Sequence, residues 1–264
     1  MKANLWLKRI AGFLMVAVVT ANAQAAQTVL VDFGNSNLAS FRGVSVPNPD
    51  ANGNFWNSLQ PGLFYTNLID TSNNATTIDL GFSTNVGTDS FNGPAGVTSN
   101  PPTPAEIAAT DIDAVALGLL GGAKEGPFDF AASPGGLNNN TRFEIQELDP
   151  TKRYNLTFFG SHKFSDDDAT VYSVFSDNTY TTLVASGSLN VQTPGSPNLH
   201  NRDQVLTLSN LAPQASNIFY VQFVGANGNI GYLNDMIIAV IPEPSTLLLV
   251  MGGAAAMVVG LRRR

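Results

Sequence analysis

Three kinds of hydrophobic pattern follow one another along the 264-residue chain. Near the start, Ile10 to Val19 is almost unbroken in apolarity, and near the end Leu247 to Leu261 is nearly so. Between them apolar residues come in short runs of period two, the spacing of a half-buried strand. Phe143 and Ile145 alternate with Glu144 and Gln146, and Tyr154, Leu156 and Phe158 alternate with Asn155 and Thr157. Runs rich in β-branched and aromatic residues predict ten strands: Thr28 to Phe33, Leu63 to Ile69, Thr76 to Phe82, Arg142 to Leu148, Tyr154 to Gly160, Thr170 to Phe175, Tyr180 to Ala185, Gln204 to Leu208, Ile218 to Val224 and Tyr232 to Val240. Turn-forming clusters such as Asn73-Asn74, Asn138-Asn139-Asn140 and Asn227-Gly228-Asn229 separate them. One helix is predicted, because Thr103-Pro104-Ala105-Glu106 has the form of a capping box and Ala108, Ile112, Val115 and Leu119 follow at helical spacing. The second half of that stretch fits a strand equally well. Strands at short intervals without alternating helices predict an all-β, antiparallel β-sandwich.

The flanks of the two long apolar runs give them different meanings. Lys2, Lys8 and Arg9 precede the first, and small residues through Ala21, Ala23, Ala25 and Ala26 follow it. That is the layout of a secretory signal peptide over residues 1–26, a short signal helix cleaved by signal peptidase near Ala25 or Ala26. The second run is preceded by Pro242, Glu243 and Pro244 and ends in Arg262, Arg263 and Arg264. A helix over this run would be roughly 24 Å long, short of the ~30 Å hydrocarbon core, so it predicts a marginal transmembrane helix. The terminal Arg cluster sets its orientation, with Arg in the cytoplasm and the globular part outside.

This order of Pro-Glu-Pro, short apolar helix and Arg cluster over residues 241–264 resembles the PEP-CTERM sorting signal read by exosortases in Gram-negative bacteria that make exopolysaccharide. The resemblance implies that Pro242, Glu243 and Pro244 are the recognition element and that Arg262, Arg263 and Arg264 are the membrane stop. It also implies an exosortase-type processing partner, and a protein that reaches the periplasm, the cell surface or the extracellular matrix. A permanent single-pass anchor is the alternative fate of the tail, and either fate places residues 27–240 outside the inner membrane.

That central stretch has a second resemblance. Val29-Leu30-Val31-Asp32-Phe33-Gly34, Gly53-Asn54-Phe55-Trp56-Asn57-Ser58-Leu59, Tyr154 to Ser161 and Tyr232 to Ile238 resemble a bacterial extracellular jelly-roll domain of the galactose-binding-like, carbohydrate-module kind. The resemblance implies a non-catalytic module for extracellular polysaccharide; a structural matrix or biofilm protein without a discrete ligand site is the alternative.

Charge and composition narrow the chemistry. Six of the 13 Lys and Arg lie in the two end segments, against only Glu243 of the 20 acids, so the central stretch is strongly acidic. Such a surface repels phosphate backbones and argues against nucleic acid as a partner. With no Cys and two His, thiolate chemistry and His-rich metal sites are excluded. There is no G-x-S-x-G nucleophile signature. Five Glu provide no self-evident pair for glycoside hydrolysis, and the expectation is no enzyme, with a carbohydrate-active hydrolase or lyase as the minor alternative. Calcium is the one cofactor the loops suggest. Asp50 and Asn52 imitate the opening of a calcium loop but lack its closing Glu, and Asp166, Asp167 and Asp168 form a second acidic loop. Sugar binding needs an aromatic face beside planar polar groups, and Trp56 between Asn54 and Asn57 is the first candidate. Tyr65, Tyr180 and Tyr232 are secondary ones, and burial of Trp56 under its own loop is the competing expectation for it.

Overall fold

Thirteen strands account for most of the regular secondary structure in the computed structural model, which describes residues 27–34, 43–60, 62–82, 102–133, 140–162, 169–192, 200–214 and 216–241. The signal segment, the Pro-Glu-Pro motif, the C-terminal apolar run with its Arg cluster, and the Asp166 to Asp168 loop lie outside the described residues. Among the described residues no helix is long and apolar enough to cross a membrane.

The strands are β1 (Thr28–Asp32), β2 (Trp56–Ser58), β3 (Phe64–Tyr65), β4 (Asp79–Phe82), β5 (Ala131–Ala132), β6 (Thr141–Gln146), β7 (Arg153–Phe159), β8 (Ala169–Phe175), β9 (Leu183–Asn190), β10 (Leu206–Leu211), β11 (Phe219–Gly225), β12 (Tyr232–Leu233) and β13 (Asp235–Ile241). They form a five-stranded sheet in the order β10-β7-β13-β1-β2, a six-stranded sheet in the order β3-β4-β6-β11-β8-β9, and a ribbon of β12 with β5. The architecture is an all-β sandwich, and its pairs are antiparallel except that β2 runs parallel to β1. The inward positions of both sheets make one core, including Val29, Val31, Phe143, Ile145, Leu156, Phe158, Tyr172, Phe223 and Ile238, all fully buried. At roughly 25 cal/mol per Å² of apolar area, such burial is the main force holding the layers together.

A second layer covers the outer face of the five-stranded sheet. It contains α1 (Pro104–Ala108), a 3-10 turn (Gly118–Gly122) and α2 (Glu125–Phe128). Leu30 and Ile237, which point away from the main core, meet Trp56, Leu117, Leu120 and Phe159 there.

The helix prediction is right at its start and wrong in its length. Thr103 caps α1, and Glu106 returns a bond to the cap backbone, completing the capping box. The helix stops at Ala108, and residues 109–117 are neither helix nor strand. Asp113 draws the N–H groups of Val115 and Ala116 onto its carboxylate in a turn, leaving Val115 91% exposed and Leu119 at the surface. The strand expected from Tyr180 begins instead at Leu183, because Asp177 gathers the N–H groups of Thr179, Thr181 and Thr182 into a turn. The last strand is split at Asn234, whose amide reaches the carbonyls of Pro127 and Asp129 and accepts from the Ser161 N–H.

Candidate functional site

Strand alternation turns a second set of side chains outward from the six-stranded sheet. On β6 these are Arg142, Glu144 and Gln146, on β11 Tyr220 and Gln222, and on β8 Ser173 and Phe175, since their neighbours in each strand enter the core. The register then places residues from six strands in one row: Phe64 opposite Gly81, Gly81 opposite Glu144, Glu144 opposite Tyr220, Tyr220 opposite Phe175, and Phe175 opposite Leu183. With strands about 4.8 Å apart, this row runs about 24 Å across the sheet. Phe64 and Leu183, at its two ends, are both exposed.

Tyr180, delivered by the Asp177 turn with φ of 59°, leans over the middle of the row. Its ring meets Phe175 at 5.5 Å and Tyr220 at 5.9 Å, both near edge-on, and the Arg142 guanidinium lies 4.0 Å over its face. Arg142 is held in turn by a 3.0 Å bond from its Nε to Gln222 Oε1. Beside the row, Gln146 donates to Glu144 at 2.5 Å, and Ser173 shares a hydrogen bond with Ser186. Aromatic edges and faces flanked by planar amide, carboxylate and guanidinium groups are what a sugar ring with axial hydrogens and equatorial hydroxyls matches.

Trp56 does not serve that purpose. It is 1% exposed, packed with Leu30, Leu120 and Phe159 under the covering layer, and its indole N–H donates to Asp50 Oδ2 at 2.8 Å. Asn57 is likewise structural. Its amide donates to the carbonyls of Leu30 and Ile69 and accepts from the Ile69 N–H, fastening β2 between two segments. Asn54 contributes its backbone N–H to Asp50 Oδ1.

The same contacts give Asp50, paired with Asn52 in the calcium reading, a structural role. Asp50 accepts from the N–H groups of Asn52 and Asn54 and from Trp56, so the carboxylate closes its own turn and anchors the indole. The loop borders a cleft of about 430 Å³ lined by Pro47, Pro104, Ile107, Gly122 and Lys124. Among the other aromatic candidates, Tyr65 is half-buried, and Tyr232 is 2% exposed and stacked on His162 at 4.1 Å.

A further group of side chains escaped the sequence reading. Asp32, Asp129 and Asp235 are all wholly buried. Asp32 and Asp235 are register partners on β1 and β13, on the face that the helical layer covers. Asp32 accepts from the N–H groups of Gly34 and Val46 and from the Ser58 hydroxyl, while Asp129 accepts from the Val44 N–H at 2.5 Å through Oδ2. Burial pushes the Asp32 carboxyl up to about 8, and it raises Asp129 and Asp235 well above the ordinary carboxylate range, with repulsion from Asp32 adding to both. The sequence signal was available, since each Asp interrupts an apolar run: Val31-Asp32-Phe33, Phe128-Asp129-Phe130 and Asp235 before Met236-Ile237-Ile238.

Residues 240–264 match the PEP-CTERM protein-sorting motif. No curated protein matches the chain. Among solved structures, the enzymatically active domain of tailspike protein 4 from bacteriophage CBA120 aligns at 18% identity over 41% of this chain and 15% of that one, with a TM-score of 0.27. The K3 cleaved adhesin domain of Lys-gingipain from Porphyromonas gingivalis aligns at 11% identity over 42% and 74%, TM-score 0.30. The CBM32 module of AlyQ, solved with 4,5-unsaturated mannuronic acid, aligns at 14% identity over 42% and 76%, TM-score 0.26. At these scores the likenesses assign no activity.

Proposed function

We propose that this is an exported protein of a Gram-negative bacterium, processed by signal peptidase and an exosortase, whose jelly-roll-like sandwich binds exopolysaccharide without catalysis. The PEP-CTERM motif over residues 240–264 supports the sorting half. In that reading residues 27–240 are the ectodomain, Pro242, Glu243 and Pro244 present the tail to the exosortase, and Arg262, Arg263 and Arg264 stay cytoplasmic until processing. The protein then resides at the cell surface or in the matrix.

The row from Phe64 to Leu183, with Tyr180 and Arg142 over it, carries the binding half. It is an open strip rather than a closed pocket, a form suited to a chain of sugars rather than a single one. Its acids are engaged by neighbours, Glu144 by Gln146 and Asp79 by the Asn67 N–H, which favours contact over two-acid hydrolysis.

The test is affinity electrophoresis of the full-length chain, purified in detergent, through gels containing a panel of bacterial polysaccharides. Retardation by at least one polysaccharide, reduced in a Tyr180→Ala/Phe175→Ala variant with an unchanged circular dichroism spectrum, is the expected result. No retardation on any polysaccharide would replace this reading with that of a structural matrix protein lacking a ligand site. For the sorting half, replacing Pro242, Glu243 and Pro244 by Ala in the native host should leave the full-length chain in the inner membrane.

A further inference from the structure

The row of outward side chains stops at Phe64 because the six-stranded sheet stops there: β3 is its outer strand, hydrogen-bonded to β4 alone. The edge of a sheet offers unpaired N–H and C=O groups to any other strand, so folded domains blunt their edges. Three of the four edges among the described residues are blunted. The ladders of β9 on β8 and of β10 on β7 each carry a register shift, which bends an edge strand away from a regular partner. At β2 the Asn57 amide binds both the N–H and the carbonyl of Ile69, which flanks that edge.

The β3 edge has none of these devices. Its register with β4 is regular, and no charged residue lies between Leu63 and Ile69. Leu63 is 48% exposed and Phe64 52%, two adjacent large apolar residues at the surface. The direction of the backbone groups follows from the ladder. The Phe82 N–H donates to the Leu63 carbonyl, which makes Phe64 and Gly81 a pair without hydrogen bonds between them. The N–H and C=O of Phe64 therefore point away from β4, out of the sheet, and neither meets a hydrogen-bond partner among the described residues. One donor and one acceptor on the same residue, facing outward, are what a strand needs to pair with its own copy about a two-fold axis.

We propose that a second copy of this chain pairs with the β3 edge, antiparallel and two-fold symmetric, with Phe64 opposite Phe64. Each Phe64 N–H then donates to the Phe64 carbonyl of the other copy, and the two rings stand side by side on one face, an aromatic cross-strand pair. Leu63 falls opposite Tyr65 of the second copy on the other face, so the exposed apolar residues of this edge are covered together. The contact is isologous and closes at a dimer. Its consequence is a continuous sheet of twelve strands, in which the two rows join end to end over about 53 Å at about 4.8 Å per strand. The doubling of the strip rests on that face being the polysaccharide site; the pairing itself does not. A contact this short belongs to the weak, reversible class, and two strips on one long polysaccharide strengthen it through their effective concentration.

The test uses the full-length chain in a detergent matched to solvent density, without polysaccharide. Sedimentation velocity over a range of concentrations should show a monomer passing into a dimer and no larger species. Leu63→Lys, which puts a charge on the edge but leaves the strip intact, should weaken the dimer roughly tenfold or more with an unchanged circular dichroism spectrum. The chain has no Cys, so single replacements report the register without background. Phe64→Cys should oxidise to a covalent dimer, and Leu183→Cys, exposed at the far end of the row, should not. A parent that stays monomeric, a dimer that persists undiminished in Leu63→Lys, or cross-linking through Leu183→Cys as readily as through Phe64→Cys overturns the pairing. With a polysaccharide that the parent retains, Leu63→Lys should match the parent on a fragment short enough for one copy and bind the whole chain several-fold more weakly. Equal affinity for the whole chain would overturn the doubled strip.

Discussion

Asp32 and Asp235 face each other as antiparallel register partners on β1 and β13, both wholly buried. Burial holds Asp32 up to about 8 and raises Asp129 and Asp235 too, against 3.8 in the ordinary state. Between about pH 4 and pH 8 the folded protein therefore keeps protons that the unfolded chain has released. The stabilisation is fully present below the unfolded value and is lost as pH rises through the folded one, by up to about 1.4 kcal/mol per pH unit for each such proton. The melting temperature should fall steadily from about pH 4 to about pH 8. Thermal melts across that range check this, and a profile rising toward neutral pH would contradict it.

Gly126 gives a sharper probe of the same region. It lies inside α2, where Ala normally stabilises a helix by about 1 kcal/mol relative to Gly. Here the added methyl would meet Asp235 Oδ1 at 2.2 Å. Gly126→Ala should instead destabilise by about 1–3 kcal/mol, the range for overpacking a filled interior. The urea midpoint of the full chain measures the sign, and a stabilised variant would mean that Asp235 moves away freely.

Trp56 and Asp50 make a prediction about stability rather than binding. Trp56→Ala should cost about 3–5 kcal/mol through lost packing with Leu30, Leu120 and Phe159. It also leaves Asp50 Oδ2 without the indole donor. Trp56→Phe keeps much of the packing and should cost about 1–3 kcal/mol, chiefly for the lost buried bond. Polysaccharide retardation per folded molecule should be unchanged in Trp56→Phe, as read by comparing gel mobility with the folded fraction from circular dichroism.

Period-two patterning was sufficient to place Phe143, Ile145, Tyr154 and Leu156 in the core and Glu144 and Gln146 on the surface, because within one strand the facing follows from spacing alone. The capping box at Thr103 was equally legible, being a local contact over four residues. What lay beyond local reach was register. Phe64, Tyr220, Phe175 and Leu183 share a row only because six strands pair with particular offsets, and no single segment contains more than one of them. Tyr180 was named as a secondary aromatic, yet its partner Arg142, and the Gln222 that holds Arg142, come from strands far away in sequence. The β2 strand was missed because Trp56-Asn57-Ser58 is too short to show alternation and is held by its neighbours. Trp56 itself looked like a binding residue because a Gly- and Asn-rich loop surrounds it. Asp50 closes that loop over the indole, and a contact between a carboxylate and a ring nitrogen six residues away leaves no mark in a hydropathy pattern. The acid cluster was half visible: each Asp stands out in an apolar run, but their meeting depends on the β1–β13 pairing and on the Asn234 fastening.

Phe64 tests how far the polysaccharide strip extends. Its ring covers Gly81, where a Cβ would meet Phe64 Cδ2 at 2.1 Å, so Gly81 lets an aromatic lie flat against the sheet. At 52% exposure the ring gives little to the fold, and Phe64→Ala should change stability by less than about 1 kcal/mol. If the strip binds a sugar chain along its whole length, Phe64→Ala and Tyr180→Ala should each weaken binding several-fold to tenfold, up to about 1.4 kcal/mol. The double variant should lose roughly the sum of the two free energies, because their separation across the sheet leaves no shared contact. Isothermal titration with the polysaccharide retained in the gels measures all three. A Phe64→Ala protein that binds like the parent, while Tyr180→Ala does not, would confine the contact to the Arg142–Tyr180–Phe175 end and imply recognition of a shorter sugar segment.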